Sequence, residues 1–186
     1  MMFEKFFEEY GNIENKIEIP SDHLARVKNS IPDELFTFIS NGSGVYMDGF
    51  LWVVDPIEYE PILKEIYTPV QEPSICFARD AFGGMYTYED NSVVYINIRH
   101  GVSKVIGRKV NILFNSIMTD WEYFSEELSL ENYQPAKEKL GGVTKDECYG
   151  YVPLLGLGGA EKAENLQKVK LKEHISIVAQ ALGKIE

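Results

Sequence analysis

The chain has 186 residues, 45% hydrophobic and 12% aromatic, enough for a proper core in one domain or two small, closely packed ones. Its 18 Lys and Arg face 29 Asp and Glu, a net charge of −11, which argues against a direct nucleic-acid partner because phosphate binding needs a basic footprint. The same balance suits a basic protein partner, or plain solubility.

Cys76 and Cys148 stand far apart with no C-x-x-C, and Cys76 sits in an apolar run, so both are expected to be buried, reduced thiols. The first residues mix acids with aromatics and lack the basic-then-apolar order of a signal peptide. Apolar runs of about five or six residues fall far short of the ~20 that span a bilayer, so no membrane partner is expected and the compartment is the cytoplasm.

Phe3, Phe6, Phe7 and Tyr10 recur at helical spacing and predict a short amphipathic helix ended by Gly11. A loop or short strand over Ile13–Ile19 leads to Ser21, a good N-cap for a helix through Leu24 and Val27. Ile31-Pro32-Asp33-Glu34 starts another, with proline suited to the first position and two acids suited to the dipole. Asn41-Gly42-Ser43-Gly44 stops it. Val45–Met47 and Phe50–Val54 then read as a hairpin around Asp48-Gly49, and Tyr59, Ile62, Leu63 and Ile66 as a further helix.

Ser74–His100 holds three β-branched and aromatic runs, Ile75–Ala78, Met85–Tyr88 and Val93–Ile98, each followed by turn chemistry. They predict an antiparallel meander at the centre of an α+β fold, with helices packed around it and strands added at its edges. Gly101–Lys109 carries three basic residues and no acid, and can end the sheet; it is also the one candidate boundary, dividing 1–105 from 106–186. Leu113, Ile117, Trp121, Phe124 and Leu128 make a helical stripe. Thr119-Asp120-Trp121-Glu122 matches a capping box, which would split that stripe near Met118. Pro135–Leu140 predicts a short helix, Tyr149–Leu155 and Leu166–Lys170 short strands, and Leu171, Ile175, Val178 and Leu182 the last helix.

Tests for chemistry come back empty. His23, His100 and His174 have no ligand partner at metal spacing. Gly156-x-Gly158-Gly159 would place Glu161 where a dinucleotide loop needs its third glycine, and an acid there opposes a pyrophosphate. There is no G-x-S-x-G. Arg79-Asp80 beside Gly83-Gly84 reads as a salt bridge pinning the turn, with a catalytic pair as the alternative. No catalytic residue, metal or cofactor is assigned.

One stretch points to binding. Thr119–Pro135 contains Asp120, Glu122, Glu126, Glu127 and Glu131, no Lys or Arg, and interleaved aromatics including Tyr123. On a helix, Trp121 and Phe124 would face the core with Leu128 while Glu122 and Glu126 face away. Acids steer a basic partner and aromatic area holds it, so Asp120, Glu122, Tyr123, Glu126, Glu127 and Glu131 are the candidate contact residues; an ordinary solvated helix has the same pattern.

The run Ser74-Ile75-Cys76-Phe77-Ala78-Arg79-Asp80-Ala81-Phe82-Gly83-Gly84, followed by Val93-Val94-Tyr95-Ile96-Asn97, resembles the GAD-like domain. Tyr149-Gly150-Tyr151-Val152-Pro153-Leu154-Leu155-Gly156-Leu157-Gly158-Gly159, with Glu164-Asn165-Leu166 and Lys170–His174, resembles the domain that often follows it. Together they are similar to immunity proteins that protect bacteria from type VI secretion DNase effectors. The Ile31–Leu35 helix start also resembles the SUKH superfamily, which would imply a SUKH-like layout. The family offers no catalytic residue. The resemblance implies a stoichiometric inhibitor that binds a basic protein toxin encoded nearby, needs no cofactor, and blocks the toxin's active site or DNA-binding surface. A non-catalytic adaptor and an enzyme with dispersed catalytic residues are the other two classes the residues leave open.

Overall fold

Alternation along three strands sets up the architecture of the computed structural model, which describes residues 2–186. In β4 (Ile75–Asp80), β5 (Met85–Glu89) and β6 (Ser92–Asn97), Phe77, Tyr86, Val93 and Tyr95 join one core cluster. Their sequence neighbours Cys76, Met85, Val94 and Ile96 join the other. Successive side chains on a strand point to opposite faces, so a sheet apolar on both faces must be covered on both.

The full sheet adds β1 (Glu14–Ile17), β2 (Ser43–Tyr46) and β3 (Leu51–Val53) on one side and β7 (Val102–Gly107) on the other. The strands lie in chain order β1 to β7, every neighbouring pair antiparallel, with Tyr86 opposite Tyr95 and Met85 opposite Ile96 at the centre. The predicted meander therefore extends to seven strands, and the basic Gly101–Lys109 segment does end the sheet. A separate hairpin, β8 (Glu147–Tyr151) with β9 (Leu166–Lys170), is joined to the β4–β5 turn by Tyr149 N–H donating to the Ala81 carbonyl at 2.8 Å.

One face carries α4 (Pro56–Ile66) and α8 (Leu171–Leu182), whose Tyr59, Ile62, Leu63, Ile66, Ile175 and Val178 pack on Cys76, Met85 and Val94. The other carries α1 (Glu4–Tyr10), α2 (Ser21–Val27), α3 (Asp33–Ser40), α5 (Val110–Ile112), α6 (Trp121–Leu128) and α7 (Tyr133–Leu140). Phe3, Phe6, Phe38 and Phe114 form its aromatic centre, with Phe3 stacked on Phe114 at 4.4 Å. The core around it draws on residues from Phe3 to Leu166, so α5 and α6 share one core with α1 and α3.

Three helix starts differ from expectation by one residue. Pro20, not Ser21, holds the cap of α2, because the Pro20 carbonyl is already the first helical acceptor, bonded to Leu24 N–H at 3.1 Å. Pro32 likewise caps α3, where the first helical position was expected. Thr119 does not cap α6. The Asp120 carbonyl accepts Phe124 N–H and its side chain accepts Tyr123 N–H at 3.1 Å, so the capping box falls out of register. The long stripe does break at Met118: Leu113–Ile117 winds as a π-helical turn, closed by Met118 N–H on the Leu113 carbonyl at 2.9 Å.

Candidate functional site

The turn Arg79–Gly84 is buried throughout and is a structural node. Arg79 and Asp80 are consecutive on β4, so their side chains leave opposite faces and the expected salt bridge between them does not form. Arg79 lies 4.6 Å over the Trp52 ring and donates to the carbonyls of Thr144 and Lys145 at 3.0 Å, and to the Asp80 carbonyl at 3.1 Å. Asp80 turns the other way. Its Oδ1 accepts Phe82 N–H at 2.8 Å and Gly84 N–H at 2.9 Å, and its Oδ2 accepts the Tyr95 hydroxyl at 2.7 Å. Burial pushes the Asp80 carboxyl above its ordinary value against the pull of Arg99 and these donors. Two of these bonds lock the turn and the third ties it to β6, and full burial closes the carboxylate to solvent.

Arg99 links this node to α6. Buried against Phe82 at 4.4 Å, it donates to the Leu128 carbonyl at 3.0 Å and the Ser129 carbonyl at 2.8 Å. Those are orphan acceptors at the helix C-terminus, where a cation also suits the dipole. Ser129 adopts φ 55°, which lets Leu130 N–H return to the Ser125 carbonyl at 2.8 Å. Asp120 closes the other end. Phe124 is fully buried, 6.1 Å from Phe50 and 6.4 Å from Tyr86, while Trp121 is half-buried with its ring 5.1 Å from Phe50. The helix is therefore fixed at both ends and along its inner stripe.

Asp120, Glu122, Tyr123, Glu126, Glu127 and Glu131 are all exposed. Tyr123 is 50% exposed, whereas Tyr133, interleaved with the acids in sequence, is buried and donates to the Asp48 carbonyl at 2.8 Å. Glu127 is ion-paired with Lys104 of β7. Among the described residues, Glu122, Glu126 and Glu131 have no salt-bridge partner. Arg99, which holds the end of this helix, has no signal in the sequence beyond being a cation after a strand.

Burial raises both cysteine thiols, Cys148 to about 12, so neither is a ready nucleophile. His23 Nδ1 lies 2.7 Å from Asp55 Oδ2, which raises the imidazole, while Asp55 Oδ1 accepts Ile57 N–H and caps α4. Among the described residues no group of three or more His, Cys, Asp or Glu is placed to hold a metal ion.

A family model for the GAD-like domain matches residues 1–100. The chain belongs to the GAD-like family. A second model, T6SS immunity protein Tdi1, C-terminal, matches residues 108–181 and supports a type VI secretion immunity role. Among solved structures, the crystal structure of Atu4351 from Agrobacterium tumefaciens superposes with a TM-score of 0.76 at 20% identity, covering 97% of this chain and 89% of that one. At that identity it shows a shared fold. No curated protein matches the chain. No helix among the described residues is long and apolar enough to cross a membrane.

Proposed function

We propose that this GAD-like protein neutralises a basic cognate toxin, a DNase encoded beside it, by stoichiometric binding in the cytoplasm through the outward face of α6, without catalysis. One observation carries the reading: α6 holds Glu122, Tyr123 and Glu126 outward, no Lys or Arg lies between residues 119 and 135, and the inner face and both ends are fixed. A DNase presents cations to the phosphate backbone, and a preorganised acidic face complements them with little ordering cost. Asp120 and Glu131 extend the acidic surface at the two ends of the helix, and Glu127 joins it beside Lys104. The second family match supports the immunity part of the reading.

The test is titration with the toxin from the adjacent reading frame, alongside rescue of growth on co-expression. Reversing Glu122, Glu126 and Glu131 to Lys leaves the Lys104–Glu127 pair intact and should slow association about tenfold or more, with a shallower salt dependence. Unchanged association and full rescue by that triple variant would show the face to be solvated surface only.

A further inference from the structure

The two edges of the sheet are finished differently. β1 is short and fully exposed, carries Glu14 and Lys16, has Asn15 at φ 50° and pairs with β2 out of regular register. Charge, irregularity and short length are the means by which an edge resists strand addition. β7 runs six residues and pairs on one side only, with β6. Among the described residues, no backbone hydrogen bond from Val102–Gly107 reaches any other segment. Val102 is 52% and Val105 57% exposed. Lys104 would repel a basic strand on a bare edge, but it is ion-paired with Glu127. Between β7 and α6 runs a groove of about 100 Å³ lined by Val105, Ile106, Ile117, Tyr123 and Phe124, with Glu127 at its rim.

We propose that the free edge of β7 takes up an extended segment of the toxin as an eighth strand, with one apolar side chain of that segment in the groove and its basic side chains over Glu122 and Glu126. This rests on the immunity reading and adds the partner's conformation and chemistry. Backbone pairing supplies affinity, the groove selects an apolar residue, and the acids of α6 select Lys or Arg beside it. A second copy of the chain is a poor occupant, since each copy carries −11.

Hydrogen exchange of the full chain, free and with an inactivated form of the adjacent-frame toxin, tests this directly. Strand addition should slow exchange of the outward-facing amides in 101–109 on complex formation and leave those of β1 unchanged. Val105→Lys, at an exposed site, should retain the melting temperature and weaken binding about tenfold or more. A toxin complex with no added protection over β7 and unchanged affinity of Val105→Lys would overturn strand addition while leaving the immunity reading standing. Failure of the wild-type chain to bind the toxin would overturn both. A free chain that sediments as a dimer, and becomes monomeric with Val105→Lys, would assign the edge to self-association instead.

Discussion

Asp80 and Glu126 are both carboxylates, and the molecule uses them in opposite ways. Asp80 is fully buried, accepts three hydrogen bonds and has Arg99 nearby. Glu126 stands in solvent on α6 with no salt-bridge partner among the described residues. The buried charge fixes a turn; the exposed one leaves its field open to an incoming molecule. Arg99 connects the regions, since it lies near Asp80 and holds the last carbonyls of the helix that bears Glu126. The inward network thus determines where the outward charges stand.

Breaking the inward member should cost most. Asp80→Ala strands two backbone N–H groups and the Tyr95 hydroxyl and removes one of the two carboxylates near Arg99, leaving only Glu161 at 3.7 Å. A loss of about 3–5 kcal/mol in denaturant unfolding is expected. Truncating the inner stripe of α6 comes next. Phe124→Ala should cost about 3–5 kcal/mol, and Trp121→Ala less, because Trp121 is only half-buried; equal losses would mean the helix packs differently from the structure.

Acid gives a smaller effect through His174, whose ring lies against Gly150 and whose pKa is lowered from 6.5 by burial. A folded value below the unfolded one means the native state disfavours the proton. The stability His174 contributes is then complete above the unfolded value and is lost as pH falls below it toward the folded one. Melting curves at about pH 7.5 and about pH 5 should show a larger acid loss for the wild type than for His174→Asn, and equal losses would refute the shift. Smallest for the fold is Glu126→Lys, which should change stability by no more than about 0.5 kcal/mol while slowing association with the toxin. A large loss of stability there would erase the contrast with Asp80.

Legibility in the sequence followed the same inside–outside division. Ile75–Ala78, Met85–Tyr88 and Val93–Ile98 were readable as the central strands because β-branched and aromatic residues were bounded by Gly83-Gly84 and by Asp90-Asn91. The exposure of Glu122 and Glu126 opposite Phe124 and Leu128 was readable because helical spacing alone puts them on different faces. The Arg79–Asp80 pair was misread because adjacency in sequence looks like proximity, while a strand sends neighbours to opposite sides. The caps of α2, α3 and α6 shifted by one residue because the cap is decided by which carbonyl first accepts a helical bond.

The sequence by itself determined the local chemistry of this protein: which runs become strands, where glycine and asparagine reverse the chain, which helical face is acidic, and that Cys76 lies in an apolar run. Those follow from side-chain periodicity and backbone preference within a few residues. Only the tertiary structure decided that Arg99 would hold the end of α6, at the Leu128 and Ser129 carbonyls, and that Arg79 would reach the Thr144 and Lys145 carbonyls. It alone left β7 at the edge of the sheet beside Tyr123 and Glu127 of α6. These contacts join residues about 30 to 65 positions apart, and no local preference encodes them; they arise because buried guanidinium groups must find acceptors wherever packing places them.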